Sequence, residues 1–198
     1  MKNLLIGLAM AAMATASHAA TVYDGSALTG SGSVRAAGNS PVGNFTFAES
    51  MTLTGISQIV DLDADGDVKF VIFENGTLAY ESAAISVTDI GVQTIASAAF
   101  SFTVDAGSQY QIGAVSNVGG VWRFGSGGVP NVQGAITQLA NWNVTGFDSP
   151  TVANSGGAVI GISLSAEAIA AVPLPAGGAL LLLALGATGA VRRRGSAA

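Results

Sequence analysis

Between residues 20 and 171 the chain is written almost entirely in short runs with a period of two, broken by Gly and Asn. That pattern constrains the fold most, because alternation puts successive side chains on opposite faces of a strand and cannot line one face of a helix. Phe45-Thr46-Phe47 and Met51-Thr52-Leu53 open the series, and Phe100-Ser101-Phe102-Thr103-Val104 alternates cleanly before an Asp105-Ala106-Gly107 turn. Val68-Lys69-Phe70-Val71-Ile72-Phe73 is nearly continuous, as for a strand covered on both faces. Asn75-Gly76 then leads into Thr77-Leu78-Ala79-Tyr80, and Asn-Gly is the strongest short hairpin signal. Tyr110-Gln111-Ile112, Val121-Trp122-Arg123-Phe124, Trp142-Asn143-Val144 and Ile160-Gly161-Ile162-Ser163-Leu164 complete the set. Many short strands with Gly- and Asn-rich turns predict an all-β domain over 20–164, an antiparallel β-sandwich of jelly-roll-like form. Ser165 to Ala171 reads as a short linker that could form a brief helix.

The two ends have a different character. Met1-Lys2-Asn3 precedes an apolar run from Leu4 to Ala14, and Thr15-Ala16-Ser17-His18-Ala19-Ala20 follows. One positive charge, an 11-residue apolar run and small residues make an N-terminal signal peptide over 1–19. Such a run is too short for a bilayer, which needs about 20 residues. Ser17 and Ala19 suit the −3 and −1 pockets of a signal peptidase, so the cut is expected between Ala19 and Ala20, with Ala14 and Ala16 a second site. At the other end, Val172 to Val191 is 20 uncharged residues, followed by Arg192-Arg193-Arg194. At about 1.5 Å per residue a helix of that length covers the hydrocarbon thickness. The three arginines orient it with its C-terminal side in the cytoplasm. Both ends therefore place the middle of the chain outside.

Val172-Pro173-Leu174-Pro175-Ala176 resembles, letter for letter, the motif of a VPLPA-CTERM sorting signal, a variant of the PEP-CTERM class. Gly177 to Val191 would supply that signal's transmembrane helix, and 192–198 its basic tail. The resemblance covers residues 172–198 and concerns sorting only. It implies a Gram-negative bacterium, export through the Sec translocon and signal peptidase, and an inner-membrane anchor. An exosortase-type transpeptidase would then cut near the motif and pass the product to the cell surface or extracellular matrix. Leu174 to Gly178 is also similar to the LPxTG signal of Gram-positive sortases, but Gly177 stands where that signal has threonine.

Charge and residue usage exclude several functions for the middle region. Twelve acids face three basic residues, Arg35, Lys69 and Arg123, between 20 and 171, a net charge of −9. A phosphate backbone would be repelled, so no nucleic-acid partner is expected. The chain has no cysteine, and its one histidine, His18, lies in the signal peptide. Ser-His-Asp and Cys-His nucleophilic sites are thereby removed, as are ordinary zinc and copper sites. Paired carboxylates could still cleave a glycosidic bond, but no pairing can be read from spacing, and the chain is read as non-catalytic. The Gly-rich stretches around Trp122 lack the Lys-Ser/Thr and helix of a phosphate-binding loop.

Two constellations could carry binding. Asp61-Leu62-Asp63-Ala64-Asp65-Gly66-Asp67 matches the first part of an Asp-x-Asp-x-Asp-Gly calcium loop, with Asp61, Asp63, Asp65 and Asp67 as candidate ligands. Position twelve falls on Ile72, where that loop has a bidentate Glu, and the flanks read as strands. Calcium is the one cofactor the residues suggest; it would sit in a loop between strands, and the alternative is a solvated acidic hairpin. Trp122 and Trp142 could stack on a sugar, yet each fits a strand pattern as core, Trp142 beside Val144 and Trp122 beside Phe124. The expectation is therefore a non-catalytic exported surface or matrix protein. A displayed carbohydrate- or calcium-dependent module, with a polysaccharide partner, is the alternative, and a carboxylate-dependent hydrolase ranks below it.

Overall fold

Residues 19–154 and 156–167 are described by a computed structural model. The expected signal-peptide residues 1–18, the sorting motif Val172 to Ala176, the helix 177–191 and Arg192 to Arg194 lie outside the described residues. Fifteen strands and no helix make up the described region. They are β1 (Ala19–Asp24), β2 (Leu28–Arg35), β3 (Asn39–Phe47), β4 (Met51–Leu62), β5 (Gly66–Glu74), β6 (Thr77–Glu81), β7 (Ile85–Val87) and β8 (Val92–Ala96), followed by β9 (Phe102–Val104), β10 (Gln109–Ser116), β11 (Gly120–Gly125), β12 (Asn131–Gln133), β13 (Ile136–Thr145), β14 (Thr151–Asn154) and β15 (Ile162–Glu167).

Every pairing is antiparallel, and the strands form two sheets, as a β-sandwich requires. In the first sheet the twelve-residue β4 is the axis. Asp61 pairs with Val121 on one edge and Val92 on the other, and Gln58 pairs with Ile162 and Ile95. So β11 and β15 share one edge of β4 and β8 the opposite one. β9 pairs with the start of β4, and β1 and β2 extend β15 and β11 outward. The second sheet runs β12-β13-β3-β10-β5-β6, with β14 on β13 and β7 on β5.

Alternation dictates what each face buries. Phe70 and Ile72 of β5 enter the core between the sheets, with Phe45, Tyr110, Ile112, Leu53, Val60, Trp122 and Leu164. A chain of aromatic rings runs through this core, with centroids 5.2 Å apart for Tyr23–Phe45 and 5.7 Å for Phe47–Tyr110. Edge-to-face contact at these distances is the favoured aromatic geometry. Val71 and Phe73 point the other way, into a second apolar cluster with Val42, Val115 and Val144. That cluster is covered because β14 lies beside β6, so the second sheet curls round its own outer face. Val152, Phe147 and Trp142 close over it. The near-continuous apolar run in β5 is thus a strand buried on both faces.

Turn chemistry follows the sequence where it is explicit. Asn75 and Gly76 both have positive φ, 49° and 84°, as the two-residue β5–β6 hairpin needs. One expectation fails. Ser165 to Glu167 are strand, with Ala166 1% exposed and Glu167 opposite Ala19, so the sheet extends past 164 and no helix begins there. The physical reason is that Ile162, Leu164 and Ala166 keep the period of two, and β15 is held on both edges, by β4 and β1. Ala19 is the first paired residue of β1, and cleavage after it would leave Ala20 to Asp24 in the strand.

Candidate functional site

The acidic run lies where β4 turns into β5. Strand alternation and a tight turn send the carboxylates of Asp61, Asp65 and Asp67 to different partners, while Asp63 is held through its backbone. Asp61 Oδ2 accepts a 2.7 Å hydrogen bond from Arg123 Nη2, a pair on the outer face of the first sheet. Asp63 donates its backbone N–H to Gly119 O at 3.0 Å. Asp65 Oδ1 accepts from the backbone N–H of Asp89 at 2.8 Å. Asp67 Oδ1 accepts from Ser86 Oγ at 2.8 Å, and its N–H donates to Asn117 Oδ1 at 2.7 Å. Among the described residues no group of three or more acidic side chains converges as metal ligands would. The Asp65 and Asp67 carboxylates and the Asp63 N–H tie the segments at 62–67, 86–91 and 117–119 into one end of the sandwich. Gly66 has a close-approach role as well, because a Cβ there would meet Val118 Cγ2 at 2.6 Å and Asn117 Oδ1 at 2.7 Å.

A cleft of about 710 Å³ opens beside this end. Its walls come from three loops, at Ala36 to Asn39, at Asn117, and at Thr145 to Asp148. Backbone bonds hold the loops in place. Gly38 N–H donates to Ser116 O at 2.7 Å, and Gly146 N–H to Gly38 O at 2.8 Å. Both glycines have positive φ, 70° and 86°, a conformation costly for other residues. Asn39 Oδ1 is buried in this wall with no hydrogen-bond partner among the described residues. Phe147 presents an apolar surface beside the Asp148 carboxylate, while Lys69 Nζ sits 4.7 Å from the Phe147 ring centre and bonds Glu81 Oε1 at 2.8 Å. The exposed Asp148 and the neighbouring Phe147 are the lining residues that suit a ligand rich in hydroxyl donors. The cleft holds no histidine or thiol with which to move a proton near neutral pH. Sequence reading missed this cleft because its residues are more than a hundred positions apart and none forms a local motif.

The two tryptophans are separated. Trp122 is 1% exposed and packs in the core between the sheets. Trp142 is half-buried on the second cluster, opposite Val42 of β3. They form no common platform, because β11 and β13 belong to different sheets and the two rings fill different cores. Arg123 points away from Trp122, as alternation requires, to its partner Asp61.

A comparison with protein-family models found no match, and none of the curated proteins matched the chain either.

Proposed function

We propose that the chain is a non-catalytic, exported cell-surface or extracellular-matrix protein that carries a C-terminal sorting signal. In this reading a signal peptide over 1–19 is removed and residues 177–191 hold the precursor in the inner membrane. An exosortase-type transpeptidase then cuts near Val172-Pro173-Leu174-Pro175-Ala176. One observation carries it: motif, apolar stretch and Arg192 to Arg194 follow one another in that order, directly after the sheet domain. The sandwich is read as jelly-roll-like. In support, the chain passes between the sheets at β2–β3, β3–β4 and β4–β5, and β1 pairs with β15.

Mass spectrometry of the mature protein tests the sorting step. A C-terminus near Ala176 is expected, and an intact Ala198 would mean a permanent anchor instead. Full-length product in the cytosol with Met1 still attached would overturn export altogether.

A second reading has the cleft in its favour: a carbohydrate-binding module displayed by the same signal. Hydroxyl donors of a saccharide would meet the exposed Asp148 carboxylate, with the Phe147 ring against an apolar sugar face. A calcium-dependent form would require Asp61, Asp65 and Asp67 to exchange the protein partners they now hold. Glycan-array binding with and without calcium, compared between the parent and Asp148→Ala, checks it. No bound glycan under either condition removes this reading and leaves the sorting proposal standing.

A further inference from the structure

Two exposed valines lie at opposite edges of the first sheet, in one row across it. Val34 of β2 is opposite Val121, Val121 is opposite Asp61, and Asp61 is opposite Val92 of β8. Row mates in an antiparallel sheet point to the same face. Val34 is 78% exposed and Val92 51%. β2 pairs with no described strand but β11, and β8 with none but β4, so each is an edge strand among the described residues.

Proteins usually blunt such edges with charge, proline or cover, because unpaired backbone is a template for another strand. In the second sheet Pro130 and Pro150 precede the edge strands β12 and β14, Glu81 ends β6, β14 folds beside β6, and the uncharged edge strand β7 is only three residues long. In the first sheet β8 contains no charged residue and no proline, and β2 has only Arg35, at its last position. The β8 edge also borders a groove of about 330 Å³ whose mixed lining includes Ile85, Ile90 and Ile95 beside Thr88, Gln93 and Thr94.

We infer that copies of this chain join head to tail, the β2 edge of one adding to the β8 edge of the next. Strand direction supports this. Three successive antiparallel pairings separate β2 from β8, so the two strands run in opposite directions. A second copy moved along the sheet would therefore meet β8 with an antiparallel β2, and its Val34 would come beside Val92. Charge agrees as well. Antiparallel addition carries Arg35, which has no ion-pair partner among the described residues, to the end of β8 where Asp89 stands. The contact is heterologous and does not close on itself, so it builds a filament rather than a dimer. A matrix protein would gain a structural role from such a filament, but the inference rests on the sheet edges and not on the sorting reading.

The absence of cysteine makes the test clean. Val34→Cys and Val92→Cys are placed singly and together in the full chain, which is oxidised mildly in detergent. Within one molecule the two sites are three strand spacings apart, about 14 Å, too far for a disulfide. The double variant is expected to give a ladder of dimers, trimers and longer species. A mixture of the two single variants should stop at dimers, and each single variant alone should stay monomeric. Val132→Cys, on exposed β12, mixed with Val34→Cys is the collision control and should give no dimer. Melting temperatures of the reduced variants establish that each is folded. A double variant that stays monomeric, or Val34→Cys dimerising with itself as readily as the mixture does, would overturn the inference. Either result would leave the sorting proposal untouched, because membrane insertion and cleavage are read from different residues.

Discussion

The phenol of Tyr23 in β1 donates a 2.7 Å hydrogen bond to Oε1 of Gln138 in β13, joining the two sheets through the middle of the core. Tyr23 is 1% exposed and Gln138 0%. The other half of the carboxamide, Nε2, has no hydrogen-bond partner among the described residues, so the Tyr23 bond is what satisfies that side chain there. Tyr23→Phe removes the donor and strands Oε1 in an apolar interior. The expected cost is about 1–3 kcal/mol, read from urea denaturation. Adding Gln138→Leu should recover part of it, because two apolar groups of similar shape leave nothing unpaired. A double variant as unstable as the sum of the singles would show that the bond is not the coupling.

The same phenol makes stability depend on alkaline pH. Burial raises the Tyr23 pKa from its usual 10 to about 12, and the adjacent Asp24 carboxylate adds to the rise. A tyrosine whose folded pKa is raised keeps its proton in the native state after the unfolded chain has lost it. Its contribution is fully present below about pH 10 and is lost as pH climbs toward 12. The loss at the upper limit is of order 2–3 kcal/mol. Tyr80 and Tyr110, also raised by burial, push in the same direction. Urea midpoints between about pH 9 and 11.5 should fall for the parent and fall less steeply for Tyr23→Phe. Equal slopes would contradict this assignment.

Gln58 links the sheets a second time. Its Nε2 donates to Pro41 O at 3.0 Å, and its Oε1 accepts the Ala114 N–H at 2.8 Å, with the residue 1% exposed. Both backbone groups belong to the opposite sheet, and Gly113 makes room for Val42 and the carboxamide: a Cβ there would stand 2.6 Å from Val42 Cγ1 and 3.0 Å from Oε1. Gln58→Leu keeps the volume but orphans a carbonyl and an amide, so a loss of about 2–5 kcal/mol is expected in denaturant titration. A loss under about 1 kcal/mol would mean that water replaces the side chain.

Much of the strand pattern was legible because alternation and turn chemistry are local. The β5–β6 hairpin follows from Asn75-Gly76, and burial of β5 on both faces follows from its apolar run. What the β5 outer face packs against was not legible, since the curl that brings β14 beside β6 is set by contacts about seventy residues apart. The strand at Ser165 to Glu167 was misread because Ala-rich segments suit a helix until a partner edge, here β1, claims them. The spacing of Asp61, Asp63, Asp65 and Asp67 is visible in one dimension, but Arg123, Asp89, Ser86 and Asn117, which receive three of them, come from distant loops.

The two tryptophans should separate in any mutational test, because each reports a different core. Trp122 is fully enclosed between the sheets, so Trp122→Ala leaves a large cavity and should cost about 3–5 kcal/mol. Trp142 keeps one side in solvent, and its neighbours on the second cluster can partly relax, so Trp142→Ala should cost clearly less. Fluorescence gives an independent readout. In the folded parent, acrylamide should quench a Trp122→Phe variant, whose remaining indole is Trp142, far more than a Trp142→Phe variant. Equal quenching of the two would mean that the second sheet opens in solution and exposes both cores.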